Sequence, residues 1–250
     1  MILRGCAVEV RPPDDEGDTW RTRARAELGA VCAAVAAGAI GGLLAIGMGG
    51  RLMMRLLAAT SPNATGRLTD ADEVVGAVTG GGTGFLLAAG TFIGVVGAIG
   101  YLSARRLLPA RSLAAGFVGA GIAGGLLARP SWLLDPENRD FEILEPTWFA
   151  VALFIAVIAL GPLTIAVLVD RWVLTWPRPK LSVRWIAGML PLALLAPIPP
   201  LLVAVLAVVA VRAIRLPRPP ALTRFGRVAV VAAGGTGLVW IGASGVAILV

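Results

Sequence analysis

The residues whose types and spacing could do chemistry fall in two short segments between apolar runs. Arg51 and Arg55 stand four apart, so on a helix they share one face. Asp70, Asp72 and Glu73 follow before the next apolar run. This set can form an interfacial ion network, and the same arginines can instead hold an anionic headgroup or solute. The three acids also stand where the next helix is expected to start, and negative charge suits a helix N-terminus. The second segment is 129–146, RPSWLLDPENRDFEILEP, with Asp135 near Glu137 and Asp140 near Glu142. Paired carboxylates serve acid–base or divalent-cation chemistry. Nothing in the sequence fixes their geometry, so a solvated acidic loop is the simpler expectation.

Residue types remove much other chemistry. The chain has no histidine, and Cys6 and Cys32 are its only cysteines. The usual zinc, haem and imidazole-base sites therefore lack ligands. No Ser-His-Asp set, HExxH motif or CxxC pair occurs. GGGTG at 80–84 and GGTG at 234–237 resemble pieces of a phosphate loop, but neither is followed by Gly-Lys-Ser/Thr. No catalytic residue, metal or cofactor is expected, and an enzyme is the least favoured class.

The elements that must position these groups are apolar helices. Hydrophobic residues make up 57% of the 250-residue chain and charged residues 15%, against about 25% charged in soluble domains. The mean hydropathy is +0.84. There are too few polar residues to coat a soluble core. The net charge of +7 sits at the ends of apolar runs without interleaved aromatics, which fits flanks against anionic lipid and argues against nucleic acid. Lys180 is the one lysine among 22 basic residues, a composition typical of a GC-rich bacterial genome.

Residues 1–27 read as a polar, disordered tail, and 28–250 as one transmembrane domain. Its segments are expected at about 28–50, 78–102, 110–128, 147–169, 185–211 and 228–249. The first has 23 uncharged residues, about 34 Å of helix and enough for a hydrocarbon core of about 30 Å. RLMMRLLAA prolongs it past the membrane edge. The third is short, and Gly161-Pro162 predicts a kink in the fourth. The fifth holds Pro191, Pro197, Pro199 and Pro200, so it either crosses as a broken helix or re-enters as a hairpin turning at PIPP.

Basic residues favour the cytoplasmic side. Six plain crossings with the N-terminus inside split the 22 as 12 inside and 10 outside, whereas a re-entrant fifth segment gives 17 and 5. The first four segments share one orientation in both arrangements, with the N-terminus cytoplasmic and 129–146 outside. The side of the C-terminus stays open.

Glycine recurs at four-residue spacing: Gly38 and Gly42, Gly80 and Gly84, Gly90 and Gly94, Gly121 and Gly125. Each pair clears one helix face for close packing. The sequence thus predicts an all-α polytopic transmembrane bundle of six segments, five crossings plus the proline-broken one, in a bacterial plasma membrane. The expected role is a structural or assembly component, with membrane lipids and a second copy or other membrane subunits as partners. A small-solute transporter or channel is the alternative, using the breaks near Pro197–Pro200 and Gly80–Gly84.

Overall fold

The structure, a computed structural model, describes residues 20–69, 74–127, 134–135, 137–175 and 220–249. Within them the chain is helical and bundled. Helix α1 (Trp20–Gly41) runs through a π-helical stretch (Gly42–Met48) into α2 (Gly49–Thr60) without a break. Helix α3 (Gly80–Ala104) returns antiparallel, α4 (Ser112–Leu127) follows, and a short α5 (Arg139–Ile143) precedes α6 (Thr147–Thr175). Helix α7 (Pro220–Leu249) packs along α4.

Among the described residues, four helices are long and apolar enough to cross a membrane: Ala26–Thr60, Gly80–Ala104, Thr147–Thr175 and Arg224–Leu249. That is fewer than the six segments expected. The third run forms only the shorter apolar helix Ser112–Leu126, about 22 Å at 1.5 Å per residue. The fifth run, with Pro191, Pro197, Pro199 and Pro200, lies outside the described residues.

Several boundaries differ from the sequence expectation, each for a physical reason. Helix α1 starts at Trp20, inside the segment read as tail. Helix α7 starts at Pro220 rather than near 228, because proline suits the first helical position and nothing before Val228 stops the helix. Asp70, Asp72 and Glu73 do not open α3. Leu68 and Val74 pair in an antiparallel bridge, Gly76 turns the chain at φ +85°, and α3 begins only at Gly80. Thr79 caps α3 by accepting the Gly82 N–H at 3.1 Å.

The span through α1 is the most deeply buried among the described residues, packed against α3 and α6. Every residue from Val31 to Ala39 is buried, and most are alanine, whose small side chains let neighbours approach closely. Its closest neighbour is α3. A Cβ on Gly38 would meet the Gly94 carbonyl oxygen at 2.5 Å, and one on Gly94 would meet the Gly42 Cα at 2.6 Å. One on Gly90 would meet the Gly47 nitrogen at 2.5 Å. The two backbones are in direct contact.

The π-helical stretch explains how Gly47 joins this face. In an α-helix, residues five apart stand about 140° from each other. A wider i→i+5 turn brings Gly47 back under Gly42, so Gly38, Gly42 and Gly47 all face α3. Ile46, on another side, packs over Gly161 of α6, where an added Cβ would meet its side chain at 3.0 Å.

A second glycine seam joins α4 to α7. A Cβ on Gly121 would meet the Gly234 carbonyl carbon at 2.8 Å, and one on Gly125 would meet the Gly237 Cα at 3.0 Å. Gly80 and Gly84 are different. Among the described residues a Cβ on either would meet nothing within 4 Å, so neither lies against a described helix.

Two apolar clusters complete the core. At one end Val31, Val35, Val95, Leu102, Ile165 and Val169 join α1, α3 and α6. At the other, Met53, Leu57, Val75, Leu134 and Phe141 gather around Phe154 of α6. The Phe141 and Phe154 rings meet edge to face at 5.3 Å.

The seams are testable. Gly42→Leu or Gly94→Leu drives a side chain into backbone, and overpacking costs about 1–3 kcal/mol where neighbours can shift. Here they cannot, so the expected loss is at or above about 3 kcal/mol. Gly84→Leu should be tolerated. Thermal melts of the three variants in one detergent compare them directly.

Candidate functional site

Polar side chains gather at the two ends of the bundle, one holding Asp170 and the other Arg51. At the first, Asp170 of α6 binds three groups from a different part of the fold. Arg105 Nε donates to Oδ1 at 2.8 Å and Nη2 to Oδ2 at 3.0 Å. Tyr101 donates its hydroxyl to Oδ2 at 3.0 Å, and Ser112 donates at 2.6 Å. Arg105 has donors left over, and these reach the carbonyls of Pro109 and Ala110, both at 2.9 Å. The guanidinium also lies 5.7 Å from the Tyr101 ring centroid, within cation–π range.

This node is a clamp. Arg105 follows the last turn of α3, Ser112 opens α4, and Asp170 belongs to α6. One carboxylate therefore fixes the tight loop 105–111 and three helices. The fourth segment, expected at about 147–169, continues as α6 to Thr175, because the Asp170 carboxylate is satisfied sideways by its neighbours. The pair is 23% and 15% exposed at Arg105 and Asp170, shielded enough for a charge-assisted bidentate bond to count. The sequence carried one signal for it. Asp170 is the only acid after Glu145 in a stretch rich in arginine.

At the Arg51 end the ordering group is Ser61, which is 1% exposed. Its hydroxyl donates to the Glu145 carbonyl at 2.7 Å and accepts the Glu145 N–H at 2.8 Å. One side chain thus pins the end of α2 to the loop that enters α6. In the same loop Asn138 accepts the Asp140 N–H at 2.8 Å and caps α5. Asp135 accepts the Glu137 N–H at 3.1 Å.

The sequence candidates separate under this geometry. Glu137 and Glu142 are exposed, while Asp135 and Asp140 are half-buried. Among the described residues no three acidic, histidine or cysteine side chains converge to hold a metal. Arg55 is exposed and Arg51 half-buried. Asp70, Asp72 and Glu73 lie outside the described residues. Spacing alone could not have shown Ser61 and Glu145, because their bond joins residues 84 positions apart.

Hydroxyls within the spans serve their own helices. Thr91 donates to the Leu87 carbonyl at 2.7 Å, Ser103 to Ile99 at 2.7 Å and Thr236 to Ala232 at 3.0 Å.

No protein-family profile matches the chain, and no curated protein or solved structure is significantly similar to it. The fold and the distribution of apolar surface make it a multi-pass membrane protein of all-α architecture.

Asp170→Asn removes the charge that Arg105 binds while keeping the shape. The expected loss is about 2 kcal/mol, between the values for exposed and fully buried pairs. Arg105→Gln should cost a similar amount, and the double variant less than the sum of the two singles. Denaturant titration in mixed micelles measures all three. Ser61→Ala strips two hydrogen bonds from a buried backbone and should cost about 2 kcal/mol by the same assay.

Proposed function

We propose that this chain is a non-enzymatic component of a bacterial plasma membrane that works by assembling with a second copy or with other membrane subunits. In this reading it has six membrane segments and a cytoplasmic N-terminus. The Asp170 end, which carries Arg105, Arg106, Arg111 and Arg171, then faces the cytoplasm under the charge rule. Segment 185–211 completes the set as a crossing or a re-entrant hairpin.

One observation carries the assembly reading. The α1–α3 and α4–α7 seams close backbone against backbone, which leaves no room for a water-filled path along them. The bonding of Thr91 and Thr236 to their own helices supports it. Among the described residues the charged groups stand at the ends of the bundle rather than at its middle, where a coupled transporter usually keeps one.

The transport alternative has one observation in its favour. The π-helical stretch Gly42–Met48 lies between α1 and α2 in one continuous helix, and such stretches recur at functional sites.

Extraction in native-lipid particles, followed by mass determination and mass spectrometry of what co-purifies, distinguishes the two. Assembly predicts a defined oligomer or a stoichiometric membrane partner. A monodisperse, partnerless monomer that conducts ions or small solutes in liposomes would replace it with transport.

A further inference from the structure

The order of contacts along α4, α6 and α7 fixes the direction in which each helix runs. A Cβ on Gly116 of α4 would meet Leu163 of α6, and one on Gly124 would lie against Ile158. Position falls along α6 as it rises along α4, so these two are antiparallel. Along α7 it rises with α4. Gly226 faces Leu107, Gly234 faces Val118, and Gly237 faces Gly121. Helices α4 and α7 are therefore parallel.

The helix ends agree. Arg227, near the start of α7, donates its Nε–H to the Arg106 carbonyl at 3.1 Å. Arg106 follows Arg105, which holds Asp170 near the end of α6. The end of α6 and the start of α7 thus stand at one end of the bundle. The chain between them, 176–219, leaves that end and comes back to it. A single crossing would deliver α7 to the opposite end and set it antiparallel to α4.

The sequence of the intervening run narrows the path. WIAGMLPLALLAPIPPLLVAVLAVVAV, residues 185–211, has no charged, hydroxyl or amide side chain. A helix lying on a membrane surface keeps a polar face toward water. This run has no such face, so it belongs in the hydrocarbon. Two helical crossings need about 20 residues each. The arms on either side of PIPP, 185–196 and 201–211, reach only about 18 and 17 Å as helix, against a hydrocarbon core of about 30 Å. Helix direction excludes one crossing, and length excludes two.

We propose that residues 185–211 enter the membrane from the Asp170 end, turn at Pro197–Pro200 and leave on the side they entered. Val31 of α1 shares a cluster with Leu102 and Val169, so the start of α1 also stands at the Asp170 end. The chain then crosses five times, through α1 with α2, α3, α4, α6 and α7, and α7 ends on the side opposite the start of α1. The same path puts 17 of the 22 basic residues on one side, as the charge rule asks. Prolines remove backbone donors at the turn, and broken backbone at membrane depth is tolerated only within protein or beside a water-filled cavity, so the turn does not face lipid. The return holds for relative sides, whether the chain assembles or transports and whichever compartment the Asp170 end faces.

The test uses the full chain in its membrane, with Cys6→Ser as background, and a membrane-impermeant maleimide applied to spheroplasts and to inside-out vesicles. Thr175→Cys marks the end of α6, and Glu137→Cys marks the opposite side. Arg218→Cys should label from the same side as Thr175→Cys, and Ile198→Cys from neither side until the membrane is dissolved in detergent. Labelling of Arg218→Cys from the Glu137 side overturns the proposal in favour of a single crossing. Labelling of Ile198→Cys from the Glu137 side overturns it in favour of two crossings, and labelling from the Thr175 side in favour of a surface segment. Should Arg218→Cys not fold, Arg215→Cys decides in the same directions. Which preparation labels Thr175→Cys tests the cytoplasmic assignment separately, so the two readings fail distinguishably.

Discussion

The bundle depends on backbone contact between α1 and α3. In lipid, apolar side chains gain little by leaving their surroundings, so helices associate through packing and polar bonds. Close packing needs helices without side chains at the seam. Gly38, Gly42 and Gly47 supply one half and Gly90 and Gly94 the other. Once those backbones touch, the position of α3 along α1 is set, because glycine meets glycine at one register only. Larger residues then find their places around that seam: Ile46 over Gly161, and Ile165 beside Gly41 and Gly97.

Packing of this kind says little about angle and tilt at the helix ends, where lipid gives way to water. The polar bonds do that work. Asp170 holds the ends of α3 and α6 and the start of α4 at one point through Arg105, Tyr101 and Ser112. Ser61 does the same for α2 and the entry to α6. Both groups lie where a charge or a buried hydroxyl can be matched without crossing the hydrocarbon. The division is physical: glycine sets distance in the interior, and hydrogen bonds fix orientation at the rims.

The fold class was legible because hydropathy and length are properties of contiguous residues. The first, second and fourth runs appear as helices near their expected places. The four-residue spacing of Gly38, Gly42, Gly90 and Gly94 also reads directly, since it records one face of a regular helix. What could not be read depends on residues far apart or on irregular turns. Asp170 looks like the end of an apolar run until Arg105, 65 residues earlier, is placed beside it. Gly80 and Gly84 have the same spacing as the seam glycines, yet no described residue comes against them, because spacing shows an open face and not what covers it. The acids at 70–73 were assigned to a helix start that Gly76 and the Leu68–Val74 bridge push on to Gly80.

The π-helical stretch joins these threads. Gly42 and Gly47 are five apart, and a regular α-helix would turn one of them away from α3. Regular geometry would also place Arg51 about 180° round from Gly42, facing away from α3. With the wider turn in place that relation is broken, and the Nε and Nη2 of Arg51, four residues beyond Gly47, are shielded from solvent. The irregularity that completes the interior seam therefore also brings a charge inward at the rim. Glycine makes both tolerable: with no Cβ at 42 and 47, the wide turn can press against α3 without a clash. The shielding of Arg51 and the packing of α1 against α3 are two consequences of one inserted residue in the spacing of three glycines.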